Sequence, residues 1–368
     1  MTINKAAIDD NILMQDQVST AGSKMLYNFV PPFNAAVIDK LKEAGIKELI
    51  QTKPNEFGIS LTRSFGCIES VATGEADIGI GCDINGIIRK EASKNGICFI
   101  KPTYGTVSRF GLVSTSPSME QIGIACKDVS LGFEALSLIA GFDERDGTLA
   151  DTKQYHFSAL DGDLKELKIG VPKCCEAFAE VQEATKRLQT LGAEVSAFDF
   201  PLLEYAAGAA YVIAAAETSN SISRFDGLKF GYRTEKYSNL DDIYINSRTE
   251  CFTFETKFLA LMGMLVLSKE KFEVYFDKSL KIRRLIKEAT DLALEEYDAI
   301  LLPTEYAKAD SPETDDFFAA YKNLKYLSLP NLATAPAISL PGGVQFMAKR
   351  FDENMLLKIG KCFKGGQR

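Results

Sequence analysis

The chain has 368 residues, of which 46% are apolar and 25% are charged, with no tryptophan. Its net charge of −8 and pI near 5.1 argue against a protein that binds nucleic acid over its whole surface, because phosphate binding requires clustered lysine and arginine. The longest apolar runs are shorter than the roughly 20 residues of a membrane span, so we expect a cytoplasmic globular protein.

The first half of the chain alternates predicted strands and helices, an order that favours an α/β sheet. Glycines mark several of the predicted helix ends, since glycine readily takes the left-handed conformation found there. In chain order, the predicted elements are a strand at 6–8, a helix at 35–44, a strand at 46–51, a turn at 55–58, a helix at 69–73, a buried strand at 78–82, and a helix at 131–140.

The second half continues the pattern with longer helices. Apolar residues at helical spacing, such as Val181, Ala184 and Leu188, indicate an amphipathic helix. The predicted elements are a strand at 167–171, a helix at 176–191, a strand at 194–198, helices at 204–223, 252–267 and 269–296, a strand at 299–302, an apolar segment at 332–340, and a closing helix at 353–363.

The eight cysteines are scattered, with no C-x-x-C pair and no cluster of histidines beside them. In a cytoplasmic chain we expect them to be reduced and mostly buried. His156 is the single histidine and lies in a polar segment, so the chain has few histidines from which to build a zinc site or a Ser-His-Asp triad. We therefore expect no metal and no cofactor.

The other elements are organised around the stretch 78–129. Its first residues, IGIGC, have little bulk on one face, which is typical of a buried strand close to another backbone. The pair Asn85-Gly86 can take positive φ, so that the backbone N–H groups of Ile84, Asn85 and Gly86 could form a concavity for an oxyanion. A plain buried strand and turn explains the same residues.

This stretch resembles the core of the amidase-signature family. The sequences KPTYGTVSRFGLV (101–113), RFDG (224–227) and GYR (231–233) are most similar to the A-subunit branch of glutamyl-tRNA(Gln)/aspartyl-tRNA(Asn) amidotransferases. Members of that branch release ammonia from glutamine for a partner subunit that amidates misacylated tRNA. The resemblance runs from about Ala7 to Phe363 and implies the amidase-signature fold, a mixed β-sheet covered by helices on both faces. It also implies a single domain over 1–368 that lacks the family's N-terminal helical region.

The family's catalytic triad consists of a lysine base, a bridging serine and a serine nucleophile. By resemblance, these positions read Asp9, Arg63 and Ile87 in this chain, and a one-residue slip would place Ser64 at the bridge. Asp9 reverses the charge of the base, and Ile87 cannot attack a carbonyl. The expected catalytic residues of the family are therefore missing.

The substrate-binding positions of the family also differ. A tyrosine, an arginine and an aspartate that hold the amide substrate match Ala210 (beside Tyr211), Leu259 and Leu324. Loss of both charges would leave a zwitterionic glutamine without partners at either end.

From these departures we expect a catalytically inactive relative of the A subunit. It would act as a scaffold or regulatory partner of other amidotransferase subunits or their homologues, and would meet tRNA only through them. One alternative is an amidase or glutaminase with rebuilt chemistry, which uses Cys82 or Cys67 as the thiol, with Asp9 and Asp10 as acid and base. Another is a small-molecule sensor that uses the old amide pocket. A salt bridge between Asp9 and Arg63 is a purely structural alternative.

Three polar motifs at 224–227, 231–233 and 247–250 are expected at the surface. They are candidates for contacts with partner subunits. Helix capping and ion pairs within the fold explain them equally well.

Overall fold

The computed structural model describes residues 3–59, 61, 65–150, 157, 163–305 and 317–364, with the side chains of 317–320 and 364 excepted. Within this part of the chain, ten strands form one sheet in the order β2-β1-β3-β5-β4-β9-β10-β8-β6-β7. The strands are β1 (Lys5–Asp9), β2 (Glu48–Thr52), β3 (Ile78–Asp83), β4 (Cys98–Lys101), β5 (Gln121–Cys126), β6 (Lys168–Pro172), β7 (Glu194–Phe198), β8 (Ala299–Pro303), β9 (Ala337–Leu340) and β10 (Val344–Ala348).

The α-helices of the described residues connect and cover these strands. They are α1 (Ala36–Glu43), α2 (Gly66–Thr73), α3 (Ile87–Lys94), α4 (Val129–Ile139), α5 (Ala179–Thr190), α6 (Ala206–Ile222), α7 (Leu240–Cys251), α8 (Phe254–Leu267), α9 (Lys278–Glu296), α10 (Phe317–Leu327), α11 (Leu329–Leu332) and α12 (Glu353–Lys364).

The sheet is mixed and has apolar residues on both faces. β1 runs parallel to β2 and β3, whereas β3 and β5 are antiparallel. Side chains alternate between the two faces of a strand, and β1 illustrates this. Ala6 and Ile8 belong to the main core with residues of α1 and α4, while Ala7 belongs to a second core with residues of α2 and α3. The predicted fold class, an α/β mixed sheet covered on both faces, is confirmed.

The strand at the centre of the predicted fold, β3, allows unusually close packing. A Cβ atom on Gly81 would lie 2.7 Å from Ile88 Cδ1 of α3 and 2.9 Å from Cys67 Sγ of α2. Side chains of both helices therefore fill the space beside Gly81. A Cβ atom on Gly79 would lie 2.7 Å from the Cys67 carbonyl oxygen, so the backbone of α2 approaches β3 as the sequence pattern predicts.

One predicted helix boundary is wrong, and helix α7 was missed. The helix predicted at 269–296 begins only at Lys278, after one π-helical turn at Glu273–Asp277. Helix α7 was not predicted, because its sequence LDDIYINSRTEC has few apolar residues. Its start is set by the Asn239 side chain, which accepts a hydrogen bond from the backbone N–H of Asp242.

Candidate amide-binding site

A short loop joins β3 to α3, and Gly86 in it has φ +89°. The Asp83 carboxylate accepts a 2.6 Å hydrogen bond from the Gly86 N–H, and the Asn85 side chain accepts a 3.2 Å bond from the Ile87 N–H. The positive φ predicted for this loop is confirmed. However, the Gly86 N–H that was expected to face an oxyanion is bound within the loop, so the predicted concavity of Ile84, Asn85 and Gly86 is incomplete.

A small cavity of about 20 Å³ lies beside this loop. That volume is little more than the ~10–15 Å³ that one water requires. The cavity brings together the loop predicted to bind an oxyanion (residues 84–86), called the oxyanion-type loop below, and the positions matched to the family's substrate-binding residues. Its lining residues are Ile59, Leu61, Ile84, Asn85, Ala210, Tyr211, Ala214, Thr218, Glu255, Leu259 and Leu324.

The few polar groups of this cavity are contributed mainly by α6 and α8. The hydroxyl of Thr218 is fully buried and has no hydrogen-bond partner among the described residues. Glu255 contributes a carboxylate to the lining. Burial, and then the nearby Glu255 and Tyr321, raise the pKa of the Tyr211 phenol, which therefore stays protonated at neutral pH. The cavity is thus mostly apolar, with one carboxylate and two buried hydroxyls, those of Thr218 and Tyr211.

A buried arginine, Arg89, stabilises the loop between β3 and α3. Arg89 of α3 is fully buried, and its Nε donates a 2.6 Å hydrogen bond to the Asp83 carboxylate. Its other nitrogens donate to Asn331 Oδ1 at 2.6 Å, to the Leu327 carbonyl at 2.5 Å and to the Gln345 side chain. The guanidinium thus links β3 to the C-terminal strands and helices. Because Asp83 accepts from both Arg89 and Gly86, the same network fixes the loop conformation.

The Asp9 carboxylate is also buried, at the end of β1. It accepts hydrogen bonds from the Cys67 N–H at 3.0 Å, the Thr52 hydroxyl at 2.9 Å and the Cys67 thiol at 3.2 Å. The Cys67 N–H belongs to the first turn of α2, where a carboxylate is favourable. Burial nevertheless raises the pKa of Asp9 to about 6.

We expect Asp9→Asn to flatten the pH dependence of stability. Because the folded pKa is about 6 and the ordinary value is 3.8, the unfolded chain ionises at lower pH than the folded one. The free energy of unfolding therefore falls as pH rises from about 4 to 6, by up to roughly 3 kcal/mol from this group alone. Urea unfolding at pH 4, 5, 6 and 7 should show that the free energy of unfolding of the variant increases relative to that of the unmodified chain as pH rises. A difference that does not change with pH would contradict this assignment.

Most of the chain matches a known protein family. The model of the family described as Amidase matches residues 64–357, which is most of the chain. This chain belongs to the amidase family.

Several relatives of this amidase-family chain have the same name, and further structures share its fold. The A subunit of glutamyl-tRNA(Gln) amidotransferase from Lachnoclostridium phytofermentans is 38% identical over 92% of this chain and 75% of its own length. The protein of the same name from Fusobacterium nucleatum is 37% identical, over 97% and 81%. The crystal structure of the same A subunit from Thermotoga maritima has a TM-score of 0.78 at 27% identity, and the match covers 98% of this chain and 83% of that one. Peptide amidase from Stenotrophomonas maltophilia, at 21% identity and a TM-score of 0.77, shares the fold, with coverage of 98% and 82%.

These relatives correct one prediction from the sequence. We expected a catalytically inactive relative of the A subunit, but proteins that are 35–38% identical over most of the chain are named as A subunits of glutamyl-tRNA(Gln) amidotransferase. The finding supports an active amidotransferase. The expectation rested on a few positions, whereas the similarity extends over nearly the whole amidase fold.

The thiols proposed for rebuilt chemistry lie in unfavourable places for a nucleophile. Cys67 and Cys82 are buried, and neither is among the described residues that line the cavity. Burial and neighbouring carboxylates raise the pKa of both thiols well above the usual value, whereas a reactive cysteine needs a lowered one. Asp10 is occupied by hydrogen bonds from the Thr20 hydroxyl and the Gly22 N–H. This geometry gives the Cys-based alternative no support.

Lys101 is a buried lysine that was not predicted as a functional residue. It lies at the end of β4, and its Nζ donates a 3.0 Å hydrogen bond to the Pro102 carbonyl. Burial lowers its pKa to about 7. The sequence feature that could have predicted this burial is the position of the lysine directly after the apolar residues Cys98–Ile100. Lys101 is not among the described residues of the cavity lining.

The three polar motifs make hydrogen bonds within the fold. Arg224 donates to the Ser221 carbonyl at 2.6 Å, Arg233 to the Gly227 carbonyl at 2.7 Å, and Arg248 to the Phe225 carbonyl at 2.9 Å. The internal role that the sequence analysis left open is therefore present. Contacts of these motifs with a partner stay a prediction.

Some predicted site residues lie outside the described part of the chain. These are Arg63 and Ser64, at the position of the bridging serine. His156, for which no site role is expected, also lies outside it. Among the described residues, no group of three or more His, Cys, Asp or Glu side chains could hold a metal ion. None of the described helices is long and apolar enough to cross a membrane.

Proposed function

We propose that this chain acts as an A-type subunit of an amidotransferase and releases ammonia from an amide held beside the 83–87 loop. The observation that carries the proposal is the cavity itself. Ile84 and Asn85 of the oxyanion-type loop line it together with Ala210, Leu259 and Leu324, the positions that match the family's substrate-binding residues. The identity of up to 38% with amidotransferase A subunits supports the same conclusion.

The lining residues supply the groups for this chemistry. The cavity has room for about one water, and Glu255 is the carboxylate that could accept its proton as a general base. The buried Thr218 hydroxyl would orient that water. The backbone N–H groups of Ile84 and Asn85 would stabilise the negative charge that develops on the amide oxygen. Side chains must move to admit the amide, because the cavity as it stands holds no more than a water-sized molecule.

Under this proposal, Asp9, Arg63 and Ile87 stand at the positions of the family's triad without a catalytic role of their own. The cavity lining offers no cation and only one carboxylate among the described residues. We therefore expect small uncharged amides to be used at least as well as glutamine.

The test is ammonia release by the purified chain, alone and with the other amidotransferase subunits from its source, using glutamine and propionamide as substrates. Loss of a general base typically costs about 10²–10⁴-fold, so Glu255→Gln should lower the rate by at least 100-fold. Glu270→Gln, at an exposed position, is the matched control and should leave the rate unchanged. Absence of ammonia release from both amides in the presence of the partners would overturn the proposal.

We also propose that the chain works in the cytoplasm in a complex with such subunits, and that it contacts tRNA only through them. Its acidic pI near 5.1 supports an indirect contact. Size-exclusion chromatography of the co-expressed subunits tests the complex, and should show co-elution of this chain with them.

A further inference from the structure

Two adjacent cysteines lie in the short turn that follows β6. Cys174 is exposed and Cys175 is buried, and their sulfur atoms are 4.0 Å apart. Of the other cysteines, Cys362 is half-exposed, and the rest are buried. The pair therefore combines one thiol that a solute can reach with a second thiol directly behind it.

The surroundings of Cys174 favour its thiolate form. The Cys175 thiol as hydrogen-bond donor lowers the pKa of Cys174 to about 7 against the opposing effect of partial burial, and the nearby Lys325 and Glu204 then shift it in opposite directions. Lys325 also pairs with Glu204, and Lys173 pairs with Asp199 at 2.7 Å, so charged groups of both signs surround the turn. Burial raises the pKa of Cys362, the other thiol that solvent can reach. Cys174 is therefore expected to be the most reactive thiol of the chain.

We propose that Cys174 and Cys175 form a peroxide-sensitive thiol pair, in which Cys174 is oxidised first and Cys175 resolves it to a disulfide. A low-pKa, accessible cysteine poised beside a resolving cysteine is the usual arrangement of such pairs. The proposal is independent of the amide chemistry, since neither cysteine is among the described residues that line the cavity.

Hydrogen peroxide is the two-electron oxidant of this reaction. The Cys174 thiolate attacks one peroxide oxygen, so that an S–O bond forms, the O–O bond breaks and hydroxide leaves. The sulfur of Cys175 then attacks the sulfur of the resulting sulfenic acid. An S–S bond forms as the S–O bond breaks, and the leaving hydroxide takes the Cys175 proton as water. A thiol reductant reverses the oxidation.

The first measurement uses the unmodified, reduced chain and requires no variant. Brief labelling with iodoacetamide at pH 7, followed by peptide mass spectrometry, should modify Cys174 at least about ten-fold faster than Cys362, because a thiol with a pKa near 7 is about half ionised at this pH. After hydrogen peroxide, the peptide that contains both cysteines should lose two hydrogens and regain them with dithiothreitol.

Variants then separate the two roles. Cys175→Ser should accumulate a Cys174 sulfenic acid that dimedone traps, Cys174→Ser should resist peroxide at this turn, and Cys362→Ser should behave as the unmodified chain. Equal labelling of Cys174 and Cys362, or peroxide oxidation that produces no link between residues 174 and 175, would overturn the proposal. Because the labelling and the mapped link come from the unmodified chain, they decide the matter even if a variant fails to fold.

Discussion

Replacement of Arg89 by methionine is expected to lower the free energy of unfolding by about 3–5 kcal/mol, the usual range for removal of one partner of a buried ion pair. The substitution leaves the Asp83 carboxylate without its cation in a fully buried place. It also leaves the Asn331 and Gln345 side chains without a donor. Urea unfolding followed by circular dichroism measures the loss.

Arg284→Met is the matched control for this experiment. Arg284 also pairs with a carboxylate, Glu288 at 2.8 Å, but its side chain is 80% exposed. Exposed pairs contribute about 0–1 kcal/mol, so this variant should remain close to the unmodified chain. Similar losses in the two variants would show that the buried network does not hold the 83–87 loop.

Gly86→Ala is expected to destabilise the chain by about 3 kcal/mol or more, from backbone strain and overpacking together. Gly86 has φ +89°, which alanine adopts only with strain, and a Cβ atom there would lie 2.6 Å from the Leu327 carbonyl oxygen and 2.7 Å from Arg89 Nη2. Because the added methyl group pushes against the Arg89 network, the loop beside the cavity should move. Ammonia release should fall in parallel.

Gly96→Ala separates the effect of backbone strain from that of overpacking. Gly96 follows the C-cap of α3, Asn95, and has a similar φ of +72°, but a Cβ atom there would meet nothing within 4 Å. It should therefore show only the backbone strain, of roughly 1 kcal/mol. If both alanines cost the same in urea unfolding, the close approach of Leu327 to the loop would have no energetic weight.

The sequence predicted those features that depend on local pattern. The consecutive apolar residues of β1, the glycines of β3 and the Asn85-Gly86 pair each contain the information for their own conformation, and the structure agrees with them. The resemblance to amidases added the global arrangement, because it aligned the residues that line the cavity. Ala210, Leu259 and Leu324 are distant in sequence, and only the fold brings them together.

Features that depend on long-range contacts could not be predicted. Nothing in the residues around Arg89 indicates that its acceptors would come from 327–345, and so the arginine reads as one polar residue of a helix. The closure of the cavity to about 20 Å³ depends in the same way on how α6, α8 and α10 pack. Inactivity was inferred from single positions, and such an inference does not account for polar groups, such as Glu255 and Thr218, that other elements contribute.

β4 and β9 lie side by side in the sheet, although they come from opposite parts of the chain. Lys101 pairs with Ala337. Through the pairing of β4 with β9, the five strands β1–β5 join the five strands β6–β10 in one sheet. Since pairings between distant residues are slow to form, the early strands emerge from the ribosome long before their final neighbours exist. The open edge of β4 would then be exposed during synthesis, and the nascent chain would depend on protection from aggregation until its last strands are made.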